Sequence, residues 1–152
     1  MRFGDRVVIA ENSWLAAFER YAGRNYHPQL NVGSDVTIGR YACITAINEV
    51  AIGDGCLISE HVYISDHVHE HLPHAGLLVR QPLISKGPVK IGPSCFLGYR
   101  VAVLPGVSLG AHCVVGAHSV VTRSFPPYSM LAGVPARIIR RFNPSNNVWE
   151  AL

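Results

Sequence analysis

From Ile91 to Val121 the chain repeats itself every six residues. Ile91, Leu97, Val103, Leu109, Val115 and Val121 keep step, with Gly92, Gly98, Gly110 and Gly116 directly after four of them. Four residues beyond the first five aliphatics stand Cys95, Val101, Val107, Cys113 and Ser119, all small or β-branched. The same phase runs upstream through Val32, Ile38, Ile52, Ile58 and Ile64, with Val36, Ala42, Cys56 and Val62 in the small position. Between Ile44 and Ile52 the spacing is eight instead of six, which reads as two residues inserted at one corner. Such self-similarity overrides segment-by-segment assignment.

A period of six is a multiple of the strand period of two and not of the helical 3.6. Short strands joined by tight corners satisfy it. Three strands make a coil of roughly 18 residues, which leaves about the dozen-residue connection that parallel neighbours need. The glycine after each aliphatic is expected to take positive φ or to let its backbone pass close to the next coil. Stacked coils then bury the aliphatics in one continuous core. The expectation is an all-β chain, a parallel β-helix forming one domain over residues 1–152, with an extended loop at about 66–88 and an exit segment at about 124–152.

These residues resemble the left-handed parallel β-helix acyltransferases of the hexapeptide-repeat family. The left hand is implied by that resemblance, because the general crossover rule favours the right hand. The similarity runs from Val32 to Arg140. It is most specific in Val115-Gly116-Ala117-His118-Ser119-Val120-Val121-Thr122 and Ala132-Gly133-Val134-Pro135-Ala136-Arg137-Ile138-Ile139, which look like the terminal coil and exit segment of sugar O-acetyltransferases. Three positions depart from the family: His118 where glycine is frequent, Tyr99 where serine or alanine is, and Phe96 where tryptophan is.

Composition excludes several other classes. A net charge of +3, dispersed along the chain, argues against nucleic acid as a partner. No apolar run approaches the roughly 18 to 20 residues of a membrane span, and Val7–Ala10 is too short for a signal-peptide core. A soluble, cytoplasmic protein is expected. Cys43, Cys56, Cys95 and Cys113 form no CxxC pair and are read as reduced packing residues. Near the N-terminus, Phe3, Ile9 and Leu15 keep the six-residue spacing of a first coil. Ser13–Gly23 also fits a helix capped by Ser13, and the coil is the preferred reading. Trp149 is expected to pin the C-terminal tail after the turn-rich Asn143–Asn147.

The interruption after Ser65 is where chemistry is sought. His67, His69, His71 and His74 cluster there, and Pro73, Gly76, Pro82, Gly87 and Pro88 argue against regular structure. A long loop thrown out of a compact scaffold is usually functional or disordered. Acyl transfer to a hydroxyl needs a base at neutral pH, a task that suits imidazole. The resemblance places that base at His67. Asp66 is a candidate to orient the ring, although adjacent residues on an extended chain point apart. Thr45 falls where some relatives face the acceptor with asparagine, and His69 is a second acceptor-side candidate. No metal is expected at the remaining histidines.

For the donor, the resemblance implies acetyl-CoA, with backbone groups at Gly98, Tyr99 and Ala117 along the pantetheine arm and a backbone N–H near Gly98 facing the oxyanion. Thr122, Arg123, Arg137 and Arg140 would surround the nucleotide, whose phosphates suit arginine forks. It also implies a homotrimer with active sites at subunit junctions. The resulting expectation is a coenzyme A-dependent O-acetyltransferase acting on a sugar hydroxyl in polysaccharide or glycoconjugate assembly. The alternatives are N-acetylation of an amino sugar, serine acetylation, a γ-type carbonic anhydrase and a non-catalytic β-helix scaffold.

Overall fold

The computed structural model describes residues 1–152 and contains strands, turns and a single 3-10 turn at Leu78–Arg80. Three parallel faces wind in succession. The first face stacks Arg2–Phe3, Gln29–Val32, Glu49–Ile52, Val89–Ile91 and Ser108–Leu109. The second stacks Val8–Ile9, Thr37–Ile38, Leu57–Ile58, Phe96–Leu97 and Val114–Val115, then continues into the exit strands. Trp14–Ala17, Cys43–Ala46, Tyr63–Ser65, Ala102–Val103 and Val120–Val121 form the third.

Register records every irregularity of the sequence. Lys90 pairs with Ser108 and Ala102 with Val120, one ideal coil apart. Cys43 pairs with Tyr63, two residues longer, because Ile47–Asn48 form the inserted bend. Tyr63 pairs with Ala102 across the long excursion that follows Ser65. The repeating aliphatics and the small residues four steps on fuse into one core of 27 buried residues, from Leu30 to Ala136.

The glycines directly after the repeating aliphatics serve by close approach rather than by positive φ. A Cβ on Gly92 would stand 2.7 Å from the backbone nitrogen of Ala111 and 2.9 Å from the Leu109 carbonyl oxygen. The left-handed corners fall three residues after the aliphatics, on Asp35, Tyr41, His61, Ser94, Arg100, His112 and His118 as well as on Gly55 and Gly106. Backbone hydrogen bonds hold those corners in column, as His118 N–H does on Tyr99 O at 2.8 Å. Gly92→Ala is therefore expected to destabilise the fold by about 1–3 kcal/mol, the range for overpacking. Urea unfolding checks this, and an unchanged midpoint would show that the coils can part locally.

At the N-terminus the preferred first-coil reading holds and the helix does not, because Trp14–Ala17 is a strand that completes the third face against Cys43–Ala46. A small hairpin, Arg20–Tyr21 with Arg24–Asn25, follows it. The long excursion also has regular structure despite its prolines. His67–His69 pairs antiparallel with Leu83–Ser85, and the buried Gln81 amide ties the tip by accepting from Leu72 N–H and donating to Leu72 O and Gly76 O. The exit is a hairpin as well, with Ala136–Asn143 paired to Ser129–Gly133 and to Val148–Ala151, and Trp149 packed on Phe142. Cys56, Cys95 and Cys113 are free and buried, and each thiol donates to a carbonyl oxygen of a neighbouring coil. Cys43 is only half-buried and borders the cleft described next.

Candidate active site

The chain leaves the third face at Ser65, and the leaving point is a bend centred on Asp66. On a continuous strand Asp66 and His67 would point apart. The bend cancels that alternation, and Asp66 Oδ1 lies 2.8 Å from His67 Nδ1. The expectation that adjacency separates these side chains is thus overturned by a local break in the strand.

Asp66 is fully buried, and its carboxylate is saturated with donors. Ile47 N–H reaches Oδ1 at 3.0 Å, Asn48 N–H reaches Oδ2 at 2.7 Å, and the imidazole completes the set. A buried carboxylate without such partners would be strongly destabilising. The amides of Ile47 and Asn48 are free to point at Asp66 because they belong to the two-residue insertion between Ile44 and Ile52. The departure from the repeat therefore builds the seat for the acid one coil later.

Two groups face the imidazole Nδ1, the Asp66 carboxylate at 2.8 Å and the Ser65 hydroxyl at 3.2 Å, and together they assign the ring proton. The Ser65 hydroxyl donates to His67 O at 3.0 Å and accepts from His67 N–H at 3.2 Å, so its proton is spent on a carbonyl. Asp66 then takes Nδ1–H, and the pattern assigns the lone pair to Nε2. The ring is 9 % exposed and lies edge-on to Phe18 at 5.8 Å.

His67 borders a cavity of about 350 Å³ whose walls are mainly apolar. Trp14, Cys43 and Tyr63 form one outward row on three successive strands of the third face, since Cys43 pairs with both of the others. Thr45, buried at 4 %, stands in the next outward row beside Ser65. Tyr21 and His69 meet edge to face at 5.2 Å and close another side. A wider recess beside Glu19, Arg20, Asn25 and Gln29 is larger, at about 720 Å³, but those four side chains are exposed and no buried partner orients them.

Thr45, Asp66, His67 and His69 thus come together as the sequence suggested. Sequence reasoning missed Trp14, Phe18, Tyr21, Tyr63 and the amides of Ile47 and Asn48. The eight-residue spacing was the one visible signal for the amides. His71 is exposed with Nδ1 at 3.1 Å from the His69 carbonyl oxygen, and no group of three or more His, Cys, Asp or Glu side chains converges as for a metal.

The donor candidates lie elsewhere. Tyr99 and Ala117 occupy the corner between the second and third faces, before Ala102–Val103 and Val120–Val121, whereas His67 lies past the far edge of the third face. Gly98 N–H is committed to Val115 O at 2.9 Å, so it cannot serve an oxyanion. The N–H groups of Tyr99 and Ala117 make none of the chain's backbone hydrogen bonds. Tyr99 joins a ring column with His61 and His118, at 5.4 Å from each. Thr122 and Arg123 follow Val120–Val121 on the His67 edge, two coils further on. Arg137 and Arg140 are exposed on the exit strand. Arg137 donates to Ala136 O at 3.0 Å, and Arg123 lies over the Phe125 ring at 5.2 Å.

Fold and site together define a class: β-helical proteins with an oriented histidine at the point where a loop leaves the coil. Residues 88–123 match the bacterial transferase hexapeptide family (six repeats). The chain is 37% identical over 156 residues to the putative lipopolysaccharide biosynthesis O-acetyl transferase WbbJ of Escherichia coli K12, across 99% of this chain and 76% of that protein. It is 33% identical over 138 residues to the probable acetyltransferase Rv3034c of Mycobacterium tuberculosis, across 91% of this chain and 45% of that one. A galactoside acetyltransferase solved in complex with coenzyme A aligns with a TM-score of 0.71 and 30% identity, over 92% of this chain and 66% of that one. The chain belongs to the hexapeptide-repeat acyltransferase family, and its fold is that family's left-handed parallel β-helix. It spans less than half the length of the mycobacterial relative.

Proposed function

We propose that the protein is a coenzyme A-dependent O-acetyltransferase that transfers acetyl from acetyl-CoA to a sugar hydroxyl. The observation that carries this reading is His67, held by the buried Asp66 with Nε2 free beside a cleft. Nε2 takes the proton of the acceptor hydroxyl as its oxygen attacks the acetyl carbonyl. The new C–O bond forms, the C–S bond breaks, and the imidazolium returns its proton to the leaving thiolate. Asp66 does not touch the reactants. It is a positioning residue that holds the tautomer and offsets the positive charge that develops on the ring.

For the donor, the unpartnered N–H groups of Tyr99 and Ala117 suit the amide carbonyls of the pantetheine arm, and one of them is the oxyanion donor near Gly98. Thr122, Arg123, Arg137 and Arg140 would receive the phosphates. Because the pantetheine corner and His67 sit at opposite edges of the third face, a neighbouring copy supplies one of the two, and a homotrimer satisfies this. The likeness to WbbJ supports a role in polysaccharide or glycoconjugate assembly. No helix is long and apolar enough to cross a membrane, and we place the reaction in the cytoplasm, where acetyl-CoA is made.

Calorimetry with acetyl-CoA tests the donor half. Micromolar binding is expected, weakened about tenfold or more when Arg137→Ala and Arg140→Ala are combined, since each lost charge-assisted contact contributes on the order of 1–3 kcal/mol. Absence of binding by the unaltered protein would remove the transferase reading.

A further inference from the structure

Three successive coils depart from the six-residue step at one corner, where the third face passes to the first. The step there runs from Leu15 to Val32, from Ile44 to Ile52 and from Ile64 to Ile91, whereas Val103 to Leu109 keeps to six. The second insertion supplies the amides of Ile47 and Asn48, and the third supplies Asp66 and His67. The first, residues 18–28, carries Phe18, Tyr21 and Tyr26, and each of these grips the hairpin that holds His67.

Phe18 stands edge-on to the His67 ring, with 5.8 Å between centroids. Tyr21 meets the His69 ring at 5.2 Å, and its hydroxyl donates to Val79 O at 3.3 Å. Tyr26 holds the return strand. Its hydroxyl donates to Leu83 O at 3.0 Å and accepts from Leu83 N–H at 2.9 Å. Leu83 stands opposite His69, and Glu70 N–H reaching Pro82 O marks the next pair as the hydrogen-bonded one. Alternate residues of an antiparallel pair turn their N–H and C=O away from the partner strand. Leu83 and His67 are turned in this way, and each meets one hydroxyl that both donates and accepts: Tyr26 for Leu83, Ser65 for His67. Two side chains thus complete a sheet that has only two strands.

A two-stranded hairpin is marginal in water without such support. Leu83 is buried but lies outside the core of stacked coils, so the order of the hairpin depends on these contacts and not on that core. All of them are made within one chain, and a neighbouring copy does not change them. A misplacement of about 1 Å can cost on the order of 10²-fold in rate.

We propose that Tyr26 is a positioning residue for acyl transfer, with Phe18 as its second arm: the first-coil insertion clamps the hairpin so that Nε2 of His67 keeps one place. This rests on the reading of His67 as the base of an O-acetyltransferase, and it goes further by giving residues 18–28 a task in the reaction.

The test compares the unaltered protein with Tyr26→Phe, which removes one oxygen and keeps the ring. Thiol release from acetyl-CoA with methyl β-D-galactopyranoside gives the rate, urea unfolding reports the fold, and amide hydrogen exchange over 67–85 reports the hairpin. The expected result is kcat lowered about tenfold and exchange over 67–85 about tenfold faster, the factor for roughly 1.4 kcal/mol, with KM for acetyl-CoA and the urea midpoint unchanged. Phe18→Ala should lower kcat as well, and Phe18→Leu, which keeps apolar bulk beside the imidazole, should recover most of it. Unaltered kcat in Tyr26→Phe would overturn the proposal, and so would exchange no faster than in the unaltered protein. If Tyr26→Phe lowers the urea midpoint, the Phe18 pair decides, and full kcat in Phe18→Ala would overturn the clamp. No thiol release by the unaltered protein would count against the acetyltransferase reading and not against the clamp. Nitrogen resonances of the His67 ring in Tyr26→Phe then decide, a shifted or broadened signal supporting the clamp and an unmoved one overturning it.

Discussion

Replacing His67 with alanine is expected to lower kcat by roughly 10²- to 10⁴-fold, the usual contribution of a positioned general base. Acetyl-CoA affinity should be nearly unchanged, because the donor candidates Tyr99, Ala117, Arg137 and Arg140 lie off the His67 cleft. The hydroxyl is a poor nucleophile while it keeps its proton, and no other side chain in the lining has both an unprotonated nitrogen and a buried carboxylate to stabilise the charge it gains. Thiol release with a glycoside acceptor measures the rate, and calorimetry measures donor binding. Turnover that survives in His67→Ala would remove this mechanism. A loss of both turnover and donor binding would point to damage beyond the base.

The second large effect concerns Asp66. Asp66→Asn is expected to reduce kcat by about 10²- to 10⁴-fold, close to the loss from His67→Ala, with KM for both substrates little changed. An asparagine amide that turns its NH2 toward Nδ1 selects the tautomer with the proton on Nε2, where the base must be free. Nitrogen chemical shifts of the His67 ring report that tautomer directly, and a purely structural role for Asp66 would leave them unmoved. Asp66→Ala should also weaken the fold, because Ile47 N–H is then buried without an acceptor, at about 1–3 kcal/mol, while the more exposed Asn48 N–H can turn to water. Unfolding of both variants separates the effects: Asp66→Asn keeps one carbonyl oxygen for those amides and should be the more stable. Equal kcat in Asp66→Asn and the unaltered protein would show that Ser65 and the backbone suffice to orient the ring.

Much of this architecture was legible because a six-residue period leaves so few solutions. The buried positions in the core cluster are the repeating aliphatics and the small residues four steps on, such as Ile38 with Ala42 and Leu97 with Val101. The end of the repeat marked the stretch that holds four histidines, and the family resemblance singled out His67 among them. The hairpin built by His67–His69 and Leu83–Ser85 was not legible, since its prolines and glycines mask a pairing that depends on residues some sixteen positions apart. The aromatic row was hidden for the same reason. Trp14, Cys43 and Tyr63 are remote in sequence and unremarkable singly, and they become a surface only when register places them side by side.

The sequence by itself determined the parallel coil, its core and the place where the coil opens, because side-chain alternation and coil length are local properties that repeat. Only the tertiary structure decided how Asp66 meets His67. That contact needs a bend in one coil and two spare amides from the inserted bend of the coil before it. Hydrogen bonds between coils depend on where the backbones stand relative to one another, and a single chain read residue by residue does not carry that distance.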